Sequence, residues 1–255
     1  MTGTALAQSA TLRIFDTAAA AEQFVAETIA AQMRRRSNSV LGLATGNSMR
    51  GVYRQLVQLR QRGAVSFAGL TSFNLDEYCG LEPTDPSSFA AYMQRELFSA
   101  IDADPARLHL PDGAADGAAR YEAMIAASGG IDLQLLGIGQ NGHIGFNEPG
   151  SAAGSRTRIV DLAPRTRAVN AADFPSDTPV PSRAVTMGIA TILDSRRIVL
   201  LATGAAKAQA LAEALEAPIN AQCPASFLQT HPDLTIACDH AAVARLQHNP
   251  EARHG

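Results

Sequence analysis

Ile131-Asp-Leu-Gln-Leu-Leu-Gly-Ile-Gly-Gln-Asn-Gly-His-Ile-Gly-Phe-Asn-Glu-Pro149 joins an apolar run to a glycine-rich turn, and this junction decides the fold. Residues 131–136 have the length and character of a buried strand. Glycine at 137, 139, 142 and 145 permits positive φ and lets backbone N–H groups come close to a ligand. The turn holds one imidazole, His143, one carboxylate, Glu148, and three amides, Gln140, Asn141 and Asn147. A His and a Glu five residues apart on such a loop are able to work on one proton. A structural turn, with His143 as a hydrogen-bonded loop residue, reads the same way in isolation. The rest of the chain decides between them.

Outward from that stretch, short apolar runs recur at 40–43, 70–75, 197–202 and 234–238, with helical periodicity between them. Phe24, Val25, Ile29 and Met33 mark one face of a helix over 17–36; Val52, Tyr53, Leu56 and Leu59 mark a second. Phe89, Tyr92, Met93 and Leu97 mark a third. Continuously apolar strands alternating with helices predict a parallel sheet covered on both faces, in one α/β domain. No linker or repeat divides the 255 residues, a length such domains reach undivided. The expected unit spans the whole chain, with a core over 12–240. The segment 152–181 is polar and carries Pro164, Pro175, Pro179 and Pro181, which predicts a lid or an excursion from the main sheet.

Composition narrows the function classes. A net charge of −3 without a basic stripe argues against nucleic acid; Arg34-Arg35-Arg36 reads as cations at a helix end. No apolar run approaches a membrane span, and the N-terminus lacks the pattern of a secretory signal. Three scattered cysteines form neither a disulfide framework nor a zinc site, so a cytoplasmic enzyme is expected. No metal-ligand motif or dinucleotide fingerprint is present, and no cofactor is expected.

In open α/β sheets, ligands bind beyond the carboxyl ends of the strands. After the 40–43 run comes Ala44-Thr-Gly-Asn-Ser48, then a helix; Thr45, Gly46, Asn47 and Ser48 there suit a phosphate, or Asn47 or Ser48 simply caps the helix. After the 70–75 run comes Asp76-Glu77-Tyr78, which places a carboxylate at the sheet edge. After the 197–202 run comes Thr203-Gly-Ala-Ala-Lys207, a small-residue turn with a cation. A phosphate cradle, a Lys, an Asp and a His/Glu pair on one edge suit proton transfer on a phosphorylated small molecule.

Leu41-Gly-Leu-Ala-Thr-Gly46, Phe73-Asn-Leu-Asp-Glu-Tyr-Cys-Gly-Leu81, Gly137 through Pro149, Ser155-Arg-Thr-Arg158 and Ala184-Val-Thr-Met-Gly-Ile189 together resemble the glucosamine-6-phosphate deaminase family. The resemblance runs over roughly residues 12–240. It implies a modified Rossmann-like α/β sheet and a hydrolase or isomerase that converts glucosamine 6-phosphate to fructose 6-phosphate with release of ammonia. It also implies Asp76 as the base that moves a proton from C2 to C1, and His143, oriented by Asn141 and Glu148, as the ring-opening group. Thr45, Gly46, Asn47, Ser48 and Lys207 would hold the substrate. Many relatives carry Asp where Asn141 stands, and an amide orients an imidazole without supplying charge. The family's phosphate loop commonly reads Gly-Gly-Thr-Pro where this chain has Gly46-Asn-Ser-Met49, and its phosphate-binding Arg falls on Ala172. The family's activator site uses a basic residue where Val160 stands and a tail that 247–255 does not resemble, so activation by N-acetylglucosamine 6-phosphate is not expected. The nearest alternative activity is galactosamine-6-phosphate deamination; a 6-phosphogluconolactonase and a non-catalytic sugar-phosphate sensor stand further off. Oligomeric state is left open.

Overall fold

β1 (Ala10–Phe15) opens the chain in a computed structural model that describes residues 10–176 and 178–247. Thr17 then starts α1 (Ala18–Arg35): its side-chain oxygen accepts from the Ala20 N–H at 3.1 Å, and Arg34 and Arg35 sit in the last turn, where cations oppose the dipole. Ala21, Val25, Ile29 and Met33 of α1 are buried. There follow β2 (Val40–Leu43), α2 (Arg50–Gln61), β3 (Thr71–Asn74), β4 (Asp76–Tyr78), α3 (Phe89–Glu96), β5 (Leu108–His109) and α4 (Gly117–Ala127). The second half runs β6 (Leu133–Gly137), β7 (Arg158–Asp161), α5 (Pro164–Asn170), β8 (Arg183–Thr186), α6 (Ile189–Leu193), β9 (Ile198–Ala202), α7 (Ala208–Glu216) and β10 (Leu234–Asp239).

Seven strands form one parallel sheet in the order β1-β10-β9-β6-β2-β3-β5, flanked by helices, as the run of apolar strands predicts. The order reverses between β2 and β6. From β2 the chain winds outward through β3 to β5, and from β6 it winds the other way through β9 to β10. The loops leaving β2 and β6 therefore diverge and open a crevice at their carboxyl ends. The four central strands are almost wholly buried, and each fully buried Leu, Ile or Val there contributes about 1.5–3 kcal/mol.

A second sheet, β4-β8-β7, is antiparallel and is not marked by any apolar run in the sequence. The chain changes sheets at Leu75. Its N–H donates to Leu43 of the main sheet at 2.9 Å, while its carbonyl accepts from Met187 at 2.7 Å, beyond the end of β8. Asp76, expected at the carboxyl end of the 70–75 run, is thus the first residue of a new strand and faces Thr186 across it. The 152–181 segment is likewise more ordered than its composition suggests. It supplies β7 and α5, with Pro164 in the first turn of the helix, where a missing N–H costs nothing. Tyr78, Phe146, Leu162, Phe174, Val180 and Ala184 form a small apolar cluster of their own beneath it. Among the described residues no helix is long and apolar enough to cross a membrane.

Candidate active site

A cavity of about 640 Å³ occupies the crevice where the strand order reverses. Thr45, Gly46, Asn47, Ser48, Asp76, Asn141, His143, Glu148 and Lys207 all line it, so the residues chosen from the sequence converge on one site.

The loop after β2 forms its anion-facing wall. Gly46 has φ +106°, a conformation that L side chains rarely adopt, and its carbonyl accepts from the Tyr92 hydroxyl at 2.8 Å. The Tyr53 hydroxyl fixes the Ala44 carbonyl in the same way. Asn47 and Ser48 do not cap α2; they lie in a single 3₁₀ turn with no side-chain cap. Among the described residues the N–H groups of Gly46, Asn47 and Ser48 have no partner within the fold and remain free for an acceptor. Opposite, Gly204 donates its N–H to both carboxylate oxygens of Asp239 at 3.0 Å each, which sets the turn that carries Lys207. Burial lowers the Lys207 pKa, and no carboxylate pairs with it among the described residues.

Asp76 is buried, and its carboxyl group makes no hydrogen bond among the described residues. Burial first, and then the neighbouring Glu77 charge, push its pKa up to about 8. Glu77 itself serves the fold. It accepts from the N–H groups of Tyr78, Phe89 and Ala90 at 2.8, 3.0 and 2.8 Å and so anchors the start of α3. The two adjacent acids have opposite surroundings, one satisfied and one bare.

His143 sits in a hydrogen-bonded chain. Its Nδ1 lies 2.7 Å from Asn141 Oδ1, and Asn141 Nδ2 donates to Glu148 Oε2 at 2.8 Å. Because the amide nitrogen must donate to the carboxylate, its oxygen faces the ring, and the neutral imidazole carries its proton on Nδ1. Nε2 is left as the basic nitrogen. Desolvation lowers the His143 pKa; the Glu148 charge opposes this and the Lys207 charge reinforces it. Gly139 is required beneath the ring, since a Cβ there would lie 2.2 Å from His143 Cε1. Of the other amides, Asn147 is structural: Nδ2 donates to Ile144 and Met187, and Oδ1 accepts from Arg158. Gln140 lines the cavity.

Three polar residues at the site lie outside the sequence-based set. Thr166 on α5 donates to Glu148 Oε1 at 2.5 Å, and Asn170 one turn later donates to the Tyr78 hydroxyl at 2.9 Å. Asp173 lies at the rim. Reading strand ends could not find them, because they arrive on the excursion; the sequence signal was only a hydroxyl two residues after a helix-starting proline. Ala172 also lines the cavity, and Lys207 and His143 are the basic side chains among its described lining residues. Arg167, on the same helix as Thr166 and Asn170, donates to the Val180 carbonyl. Among the described residues no cluster of three or more His, Cys, Asp or Glu side chains is placed to hold a metal ion.

The family model for glucosamine-6-phosphate isomerases/6-phosphogluconolactonase matches residues 15–236. The chain belongs to that family. Within it, the chain is 54% identical over 226 residues to a glucosamine-6-phosphate deaminase of Rhodopirellula baltica, covering 87% of this chain and 90% of the relative. It is 46% identical to glucosamine-6-phosphate deaminase 1 of Bacillus subtilis, over 87% of this chain and 93% of that one. Among solved structures of the family, a monomeric glucosamine-6-phosphate deaminase superposes with a TM-score of 0.89 at 44% identity, over 92% of this chain and 99% of the other. A 6-phosphogluconolactonase from Trypanosoma brucei shares the fold, at a TM-score of 0.71 and 19% identity over 92% of this chain and 98% of that one.

Proposed function

We propose that this chain is an aldose–ketose isomerase and deaminase that converts glucosamine 6-phosphate and water to fructose 6-phosphate and ammonia. The observation that carries the reading is the pairing, in one cavity, of a bare buried carboxyl, Asp76, with an imidazole whose Nε2 is held free. The names of the relatives support isomerase and deaminase; hydrolase, the other term the sequence raised, has no support from them.

The chemistry divides between the two groups. His143 Nε2 takes the proton of the C1 hydroxyl and returns it to the ring oxygen, which opens the sugar. Asp76 takes the C2 proton to give an enolamine and delivers it to C1. The C2 iminium that results adds water and expels ammonia. A carboxyl group whose pKa is near 8 is a stronger base than a solvated one, and the substrate's own ammonium group beside C2 favours its ionised form on binding. The free N–H groups of 46–48 and the Lys207 ammonium take the phosphate, without the help of an Arg at 172. The 152–181 segment acts as the lid of the site, and the protein works in the cytoplasm.

The test is ammonia release, measured in parallel with glucosamine 6-phosphate and galactosamine 6-phosphate, with 6-phosphogluconolactone hydrolysis as the counter-assay. Ammonia and fructose 6-phosphate formed in equal amounts from the gluco substrate are expected. Lactone hydrolysis without ammonia from either amino sugar would overturn the reading.

A further inference from the structure

Glu148 is held at both ends. Asn141 Nδ2 occupies Oε2 and the Thr166 hydroxyl occupies Oε1. Oε1 is also the carboxylate oxygen near the imidazole, 3.7 Å from His143 Nδ1, just outside direct hydrogen-bond range. Thr166 comes from α5, whose position is fixed independently by the Asn170–Tyr78 contact one turn further on. The ring nitrogen therefore faces the neutral Asn141 oxygen at 2.7 Å, although a carboxylate oxygen lies only 3.7 Å from it.

We propose that Thr166 is a positioning residue: by occupying Glu148 Oε1 it keeps the carboxylate off the His143 ring, so that the Asn141 amide receives the Nδ1 proton. This deepens the functional reading given above and rests on it for the meaning of His143 in turnover. The charged groups facing His143 among the described residues are Glu148 on its own loop and Lys207 on the turn after β9; Thr166 on α5 is neutral and acts through Glu148. With the hydroxyl removed, Glu148 is free to turn Oε1 onto Nδ1. A direct carboxylate contact favours the imidazolium, so His143 becomes more basic and less of it is in the free-base form at neutral pH. The consequence is that α5, which also forms one wall of the cavity, sets how basic His143 is.

The experiment uses the full chain without substrate, with ring carbons of histidine isotope-labelled, and follows the His143 resonance by NMR against pH in the wild type, Thr166→Val and Thr166→Ser; a His143→Gln sample assigns the signal. Val keeps the shape of Thr without the hydroxyl, and Ser keeps the hydroxyl. The His143 midpoint is expected to move up by roughly half to one pH unit in Thr166→Val and to return to the wild-type position in Thr166→Ser. An unmoved midpoint in a folded Thr166→Val protein would overturn the proposal, as would a Thr166→Ser protein that shifts as much as Thr166→Val. Because the readout needs no substrate, it stands whichever sugar the enzyme accepts. If the deaminase assay fails while the titration shifts as expected, the functional reading falls and the positioning role stays. Should Thr166→Val not fold, the comparison is made on Thr166→Ala with Thr166→Ser, read in the same direction.

Discussion

Asp76 and His143 line the same cavity, yet the β3–β4 junction and the 137–149 loop prepare them in opposite ways. At the junction the chain leaves one sheet for another at Leu75, and the first residue of the new strand is buried with no donor offered to it. Dryness first, and then the Glu77 charge, make Asp76 a strong base. On the loop, a chain of three hydrogen bonds from Thr166 through Glu148 and Asn141 fixes the ring, its tautomer and its exposed nitrogen. One group is tuned by withholding partners and the other by supplying them. Environments that push two titratable groups in different directions let one cavity do acid and base work at one pH.

The largest effect should come from breaking the bare side. Asp76→Asn is expected to cut kcat by at least ~10²-fold and to abolish exchange of the C2 proton with solvent. Retained exchange would remove Asp76 from its role. The same variant should be the more stable protein in alkali. An unfolded Asp titrates near 3.9 and the folded one at about 8, so the folded state keeps a proton that the unfolded state releases. The stability this supplies is complete below about pH 4 and is lost as pH rises to about 8, at up to ~1.4 kcal/mol per unit. Asn has no proton to lose. The Tm of the variant should therefore exceed that of the wild type by a margin that grows from pH 5 to pH 8; a margin independent of pH would show that Asp76 is not held protonated.

On the hydrogen-bonded side, His143→Gln should lower turnover of the cyclic sugar by roughly 10²-fold, in the range for losing a positioned general base. Substrate presented as the open-chain aldehyde should lose less, since the ring is already open. Equal losses on the two forms would place His143 in a later step.

Lys207→Ala touches both ligand and imidazole. A charge-assisted hydrogen bond contributes roughly 1.5–3 kcal/mol, so KM for glucosamine 6-phosphate should rise about 10- to 100-fold. The Lys207 charge also disfavours the imidazolium, so its removal should raise the His143 midpoint while leaving the titration of Asp76 in place. An unchanged KM would assign the phosphate to another group.

What was legible in the sequence divides along the same line. The parallel sheet was legible because each central strand is buried on both faces and so is apolar throughout, as in Val40–Leu43 and Ile198–Ala202. That the candidate residues share one cavity was legible because they follow those strands. The second sheet was not: Arg158–Asp161 half-buries only one face and alternates weakly, and Asp76–Tyr78 carries two acids, residue types that strands disfavour. Thr166 was hidden for another reason. Its partner is 18 residues away on another element, and nothing local in Pro164–Asn170 marks a hydroxyl as one that reaches a carboxylate. Environments made by withholding partners have no local signature either, so the raised pKa of Asp76 could be expected only from its place beside an apolar strand end.

The smallest expected effect tests how far the hydrogen-bonded side depends on its neutral link. Asn141→Asp would place a second carboxylate 2.8 Å from Glu148 Oε2, where a donating amide now sits. Two carboxylates at that distance do not both stay ionised against each other without cost, so one proton is shared or the pair separates. With the shared proton on Glu148, or with the pair apart, a negative oxygen replaces the amide oxygen at His143 Nδ1, and the imidazolium gains a direct charge partner. The midpoint of His143, followed by NMR, should therefore rise by about one pH unit, with the maximum rate changed only a few-fold. The rise in activity with pH that follows ionisation of Asp76 should not move, because the substitution adds no group to that side of the cavity. A His143 midpoint that stays where it is would mean that the ring already feels the Glu148 charge in full through the amide, and the contrast between a partnered and an unpartnered half of the site would lose its electrostatic content.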